Sequence, residues 1–216
     1  MDTNKFHNCD CLEYMKTVPD KFFELAIVDP PYGVGDFRVG CGVAKKGTEI
    51  YKEIKWNSSI PKEEYFNELY RISKDTIVFG FQYYMKYVRG TGIIIHNKKV
   101  PYKINLSMAD CAITTLQKRV TVFDYRWHGF LQEDMKNKEC RIHPCQKPVA
   151  LYRWLLQNYA KPGYKIFDSH VGSGSSLVAC VGEGFEYVGC ELDEDYYRAA
   201  SERIEKVKSQ GKLFNT

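Results

Sequence analysis

The stretch Ile166-Phe167-Asp168-Ser169-His170-Val171-Gly172-Ser173-Gly174-Ser175-Ser176 decides the fold. An apolar strand from Tyr164 to Phe167 ends in an acid, a turn with two glycines follows, and a helix begins. Glycines in such a turn let a ligand approach the backbone closely. The next predicted strand, Tyr187–Cys190, ends at Glu191, 23 positions beyond Asp168. A carboxylate at that strand end can accept both hydroxyls of a ribose. The turn has Leu177 where a dinucleotide fingerprint has its third glycine, and it lacks the Gly-Lys-Ser/Thr of a phosphate-binding loop. Adenosine without a pyrophosphate therefore fits it better.

Working outward, hydrophobic periodicity predicts a short helix over 10–18, a strand from Phe22 to Val28 and a helix opening at Pro61 and running through Tyr65, Leu69 and Ile72. Strands are expected at Thr76–Phe81, Gly92–His96, Asp110–Thr115 and Val120–Tyr125, and a polar, basic stretch covers Leu131 to Arg141. A helix follows from Pro148 to about Tyr159. Asp193 is placed to cap the last helix, whose apolar face is Tyr197, Ala200, Ile204 and Val207. Strands alternating with helices point to an α/β fold, a mostly parallel central sheet wrapped by helices on both faces. With 216 residues, 44% of them hydrophobic, residues 1–216 are read as a single domain.

A second constellation is Leu25-Ala26-Ile27-Val28-Asp29-Pro30-Pro31-Tyr32-Gly33, a buried strand ending in an acid, two prolines and an aromatic. Asp, Pro and Gly also make ordinary turns, but ligands of open α/β sheets collect at this end of a strand. The residue types suit one chemistry in particular. An exocyclic amine on a nucleobase is a poor nucleophile because its lone pair is delocalised into the ring. A carboxylate and a fixed carbonyl, both accepting hydrogen bonds from the amino hydrogens, favour a pyramidal nitrogen aimed at an electrophilic methyl. Asp29 and the Pro30 carbonyl can supply that pair. The two prolines offer no backbone donor and restrict the chain. Tyr32 can stack on a base turned out of a duplex.

These residues resemble the β-order amino-methyltransferases, in which an Asp-Pro-Pro-Tyr motif precedes the cofactor-binding glycine motif. The likeness looks closest to the short orphan adenine methyltransferases of phages and mobile elements. It extends through Tyr65-Phe66-Asn67-Glu68-Leu69-Tyr70-Arg71-Ile72-Ser73-Lys74, Asp134-Met135-Lys136-Asn137-Lys138-Glu139 and His143-Pro144-Cys145-Gln146-Lys147-Pro148. The resemblance implies a Rossmann-like domain with permuted motif order and methyl transfer from S-adenosylmethionine to N6 of adenine in DNA, leaving S-adenosylhomocysteine. Asp29, Pro30, Pro31 and Tyr32 fall on the catalytic motif. Asp10 and Cys11 fall near the cofactor's adenine. His143, Gln146 and Lys147 fall near its methionine end, with Lys147 a partner for the methionine carboxylate. Asp168, Ser169, His170, Gly172, Ser173, Gly174 and Ser175 form the cofactor loop, and Glu191 and Asp29 complete the cofactor set. Two departures stand out. Relatives often have Asp-Pro-Phe where this chain has Asp168-Ser169-His170, so His170 is expected to pack as the phenylalanine does, with contact to a polar group as the alternative. The strand ending Ile95-His96-Asn97 lacks the Trp-Asp often found there.

Target recognition is expected from loops within 34–60 and 97–141, with Lys45, Lys46, Lys98, Lys99, Arg126 and Arg141 as phosphate contacts and Trp56 or Trp127 as stacking groups. Double-stranded DNA with base flipping is the expected substrate, and analogy with relatives implies a homodimer and, in some cases, a companion restriction enzyme. The formal charge of +4 permits a polyanionic partner without requiring one. Among eight cysteines, Cys9 with Cys11 and Cys140 with Cys145 do not repeat a paired ligand spacing, so reduced thiols and no metal are expected. Apolar runs are strand-length and no signal peptide is visible, which makes the cytoplasm the expected compartment. Cytosine-N4 or RNA methylation remains an alternative, as does an inactive nucleic-acid-binding subunit. A nuclease reading of Pro19-Asp20 with Glu53-Ile54-Lys55 is set aside because the pair straddles the Asp-Pro-Pro-Tyr motif.

Overall fold

The computed structural model describes residues 2–35 and 57–213, with side chains to residue 210. Lys45, Lys46, Trp56 and the Glu53-Ile54-Lys55 run lie outside the described residues. The chain runs β1 (Lys5–Asn8), α1 (Cys11–Lys16), β2 (Phe23–Val28), α2 (Glu63–Ile72), β3 (Ser73–Phe79), β4 (Gly92–Asn97), β5 (Ala109–Thr114) and β6 (Val120–Asp124). It continues through β7 (Trp127–His128), β8 (Leu131–Gln132), α3 (Val149–Tyr159), β9 (Lys165–Asp168), α4 (Ser175–Glu183), β10 (Glu186–Glu191) and α5 (Glu194–Leu213).

Eight strands form one sheet in the order β1-β10-β9-β2-β3-β5-β4-β6, and β7 pairs with β8 in a separate hairpin. All neighbours are parallel except β5, which runs against both β3 and β4. The sheet is mixed, mostly parallel and covered on both faces. Successive side chains of a strand point to opposite faces, so Leu25 and Ile27 of β2 pack with α3, α4 and α5, while Ala26 and Val28 pack with α1 and α2. That two-sided burial is why the central strands read as nearly continuous apolar runs.

The topology fixes where ligands can lie. From β2 the chain crosses by α2 to β3, and from β9 it crosses by α4 to β10, in opposite directions away from the adjacent pair β2 and β9. The carboxyl ends of two such strands open a crevice at the switch point. In register, Leu25 lies beside Ile166 and Ala26 beside Phe167, so Asp29 and Asp168 emerge at neighbouring strand ends.

Several local expectations need correction. β1 has only four residues of mixed polarity at a sheet edge, with no periodicity to read. β3 starts at Ser73, directly off α2, because Ser73 already pairs with Phe23. Pro61 precedes α2, whose cap is Lys62. The stretch from Leu131 to Arg141, expected to be a polar loop, begins with the β8 half of the hairpin. Asp193 does cap α5, accepting from the backbone N–H groups of Asp195 and Tyr196 at 2.9 and 3.1 Å. Among the described residues no helix is long and apolar enough to cross a membrane.

Candidate active site

A cleft of about 1550 Å3 opens at the switch point and is lined by Asp29–Tyr32, Ser169–Ser173 and Glu191, with residues from the loops after β4 and β6. Pockets for one drug-sized ligand are roughly 300–1000 Å3, so this volume has room for a cofactor and a second molecule. The acid-proline motif and the glycine turn thus share one opening.

At the β2 end, both oxygens of Asp29 are engaged. The Tyr32 hydroxyl donates to Oδ1 at 2.5 Å, and the Lys147 ammonium donates to Oδ2. The same ammonium lies 3.3 Å from the Tyr32 hydroxyl and 4.8 Å from the centre of the Phe79 ring. Burial opposes a charge on Lys147, but Asp29 and Asp110 outweigh it and hold the lysine protonated well above the ordinary lysine range. Asp110 is half-buried, and Lys147, His96 and Lys98 hold it well below the usual carboxylate range against its desolvation. The resemblance places Lys147 near the cofactor's carboxylate; in the structure it donates to Asp29. No local motif could reveal that pair, since its members are 118 positions apart.

Tyr32 is fixed on every side. Its backbone N–H donates to Oδ1 of Asn57 at 2.9 Å, and its ring stacks on Tyr83 with centroids 4.8 Å apart and planes 14° from parallel. Beneath the ring is Gly80 at φ +68°, where an added Cβ would sit 2.1 Å from the Tyr32 ring. Tyr84 donates to the Phe79 carbonyl at 2.7 Å and approaches the Pro30 carbonyl at 3.2 Å, bracing the proline turn. Asn57, Gly80, Tyr83, Tyr84 and Asp110 carried no recognisable pattern in sequence. Gly80→Ala is expected to displace the Tyr32 ring and lower turnover about tenfold while cofactor affinity holds, with roughly 1–2 kcal/mol of stability lost to the left-handed backbone. Unchanged turnover in a steady-state assay would contradict this placement of Tyr32.

On the β9 side the glycine turn is closed by its own polar groups. Gly172 and Gly174 take φ of +53° and +79°, conformations that glycine adopts without strain. The Gly172 N–H donates to Glu191 Oε2 at 2.7 Å and the Asp193 N–H to Oε1 at 2.9 Å. Burial raises the Glu191 carboxyl above its ordinary value, against those backbone donors.

Asp168 and Gly174 are absent from the cleft wall. Asp168 instead accepts from the His170 N–H at 3.0 Å and the Ser176 hydroxyl at 2.5 Å, and burial pushes its carboxyl up to about 7. It braces the turn from behind. His170 packs edge-on against Tyr65 and also hydrogen-bonds through Nδ1 to Ser169 at 2.8 Å. Burial lowers it to about 4, so it stays neutral at pH 7.

The remaining expected contacts divide. Asp10 and Cys11 line the cleft, and Asp10 also caps α1 through the Leu12 N–H at 2.7 Å. His143 lines it with its ring against Tyr196, lowered to about 4 by burial. Gln146 bonds Ile142 N–H and the Cys140 carbonyl, holding the 140–146 loop. Trp127 is buried, its indole donating to the Gln146 carbonyl at 2.6 Å, so it is core and no stacking platform. Lys98, expected as a phosphate contact, lines the cleft and pairs with Asp110 at 3.1 Å. Lys99 pairs with Glu133, Arg126 is exposed, and Arg141 lies over the Trp127 ring at 4.4 Å.

A family model described as DNA methylase, of the N6/N4 type, matches residues 98–202. That match runs from the loop after β4 into α5, through the glycine turn and Glu191. The chain is 28% identical over 219 residues to YubD of Escherichia coli (strain K12), which carries the name of a methylase, across 95% of this chain and 92% of that protein. Its fold matches the M1.HpyAVI–SAM complex with a TM-score of 0.58 at 16% identity, covering 92% of this chain and 98% of the other. It also matches PvuII DNA methyltransferase (cytosine-N4-specific) with a TM-score of 0.61 at 10% identity, covering 97% and 93%. Both likenesses are likenesses of fold.

Proposed function

We propose that this chain methylates the N6 amine of adenine in DNA, with S-adenosylmethionine as donor and the target base turned out of the duplex. The observation that carries the reading is the single cleft shared by Asp29, the Gly172 turn and Glu191. The residues suit the donor. Glu191 is an anionic acceptor at a strand end beside an open glycine backbone, and Asp10, Asp29 and Glu191 give the cleft wall a negative character that favours a cation. The bound donor supplies an electrophilic methyl on a sulfonium.

The protein's own groups do the rest. The Asp29 carboxylate, paired with Lys147, can accept a hydrogen bond from the amine and draw its lone pair out of the ring. Because Tyr32 occupies Oδ1, productive binding exchanges the tyrosine hydroxyl for the amine N–H. As the new N–C bond forms, the surplus proton on nitrogen passes to Asp29 and on to solvent. Lys147, already an ammonium, has no lone pair with which to accept it.

The resemblance of Asp29-Pro30-Pro31-Tyr32 to adenine enzymes supports adenine over cytosine; the fold alone favours neither base. Digestion of DNA from cells producing the protein, followed by nucleoside mass and retention time, is expected to show N6-methyladenine. N4-methylcytosine as sole product would overturn the choice of base, and methylation confined to RNA the choice of polymer.

A further inference from the structure

The methyl-transfer reading leaves a set of exposed apolar side chains unused. They gather on the loops at the carboxyl ends of β4 and β6: Tyr102, Ile104, Leu106 and Met108 on one, Phe130 and Leu131 on the other. Contiguous exposed apolar groups on a soluble chain mark a contact surface. Of these six, only Leu106 and Phe130 also line the cleft that holds Asp29.

Phe130 stands apart by how it is held. β7 and β8 pair Trp127 with Gln132 and His128 with Leu131, leaving Gly129 and Phe130 as a two-residue turn. Gly129 has φ +51°, the left-handed geometry that such turns ask of glycine. The stem is locked. Trp127 donates through its backbone to Lys98 and through its indole to Gln146, and Gln132 exchanges two hydrogen bonds with the Glu139 backbone. Trp127, His128 and Gln132 are buried, yet Phe130 at the tip is 56% exposed. A phenyl ring carried into water on an anchored stem adds nothing to the core.

We propose that Phe130 is the wedge that enters the base stack of the duplex where the target base leaves it. Extrusion opens a gap flanked by two bases and costs a few kcal/mol in lost stacking and pairing, and an inserted apolar ring restores part of that contact. The hairpin places such a ring at the mouth of the cleft the base must enter. Charge favours a nucleic acid there over a second copy of the chain. Lys103, Arg126, Lys136 and Lys138 are exposed on the same two loops, so two copies meeting at this face would repel, whereas phosphates on either side of the gap would be neutralised.

The inference rests on the DNA-amine reading, and the test separates the two. Methylation rates of wild type, Phe130→Ala and Phe130→Trp are measured on a fully paired duplex and on the same duplex with an abasic site opposite the target. Wild-type turnover on either substrate upholds the DNA-amine reading by itself. Base–aromatic stacking is worth roughly 1–3 kcal/mol, so Phe130→Ala should lose about ten- to hundredfold on the paired duplex. Most of that loss should vanish on the abasic duplex, where the target is already unpaired, and Phe130→Trp should retain most activity on both. Equal loss of Phe130→Ala on both duplexes, or no loss on either, overturns the wedge. So does a shift of oligomeric state in size exclusion that tracks the lost activity, which would assign the face to a second copy. Phe130 is outside every core cluster, and unchanged cofactor affinity in Phe130→Ala verifies its fold.

Discussion

Asp29→Ala is expected to lose about a thousandfold or more in methyl-transfer rate while still binding S-adenosylmethionine. The carboxylate accepts from both Lys147 and Tyr32 at the end of β2, and it is the charged acceptor the proposed reading gives to the amine. The substitution has a second consequence that must be separated from the first. Lys147 is 6% exposed at its side chain, and removing one partner of a buried pair costs about 3–5 kcal/mol because the other charge is left uncompensated. Asp29→Ala alone should therefore melt at a lower temperature than wild type. The double variant Asp29→Ala/Lys147→Met should recover much of that stability and none of the activity. Full turnover in either variant would refute the role of Asp29, and recovered activity in the double variant would show that the carboxylate serves only to neutralise the lysine.

Glu191→Ala should act on the opposite wall and on a different quantity. Its oxygens accept the Gly172 and Asp193 backbone N–H groups, and the proposed reading gives them the two ribose hydroxyls as well. Hydrogen bonds to a charged group contribute roughly 1.5–3 kcal/mol each, so losing the carboxylate should raise the Kd for cofactor about a hundredfold. The rate at saturating cofactor should fall far less than in Asp29→Ala. Calorimetric titration returning a Kd within twofold of wild type would remove Glu191 from the cofactor site. Together the two variants divide binding from chemistry across the β2–β9 crevice.

The parts of this architecture that sequence exposes are those whose physics is local. The β9 strand, glycine turn and α4 are adjacent in the chain, and each announces itself by apolar run, φ requirement or helix start. β2 and its acid-proline end are legible for the same reason: two-faced burial makes a continuous apolar strand, and prolines stop it. Long-range pairing is where reading fails. Nothing near Lys98 marks Asp110 as its partner, so the basic run gives no sign that this lysine is a half-buried countercharge. Lys147 resembled a cofactor ligand by its place in His143–Pro148, yet its partner comes from the other half of the sheet. The reversed direction of β5 leaves no trace in periodicity, because a buried strand has the same pattern either way. The β7–β8 hairpin is too short for alternation to show, and its Gly129-Phe130 turn could be recognised only once Trp127 was known to be core. Asp168 shows the converse: a conspicuous acid in the expected loop turned out to hold the turn through Ser176 and His170 N–H.

The most direct measurement is a crystal structure of the chain with S-adenosylhomocysteine bound. Reacting atoms in a productive complex lie about 3–3.5 Å apart, and the account predicts the ribose hydroxyls on Glu191 with the sulfur facing Asp29 across a gap that an amine and one methyl would fill. A ligand seated away from the β2–β9 crevice, or a sulfur directed away from Asp29 toward solvent, would contradict it.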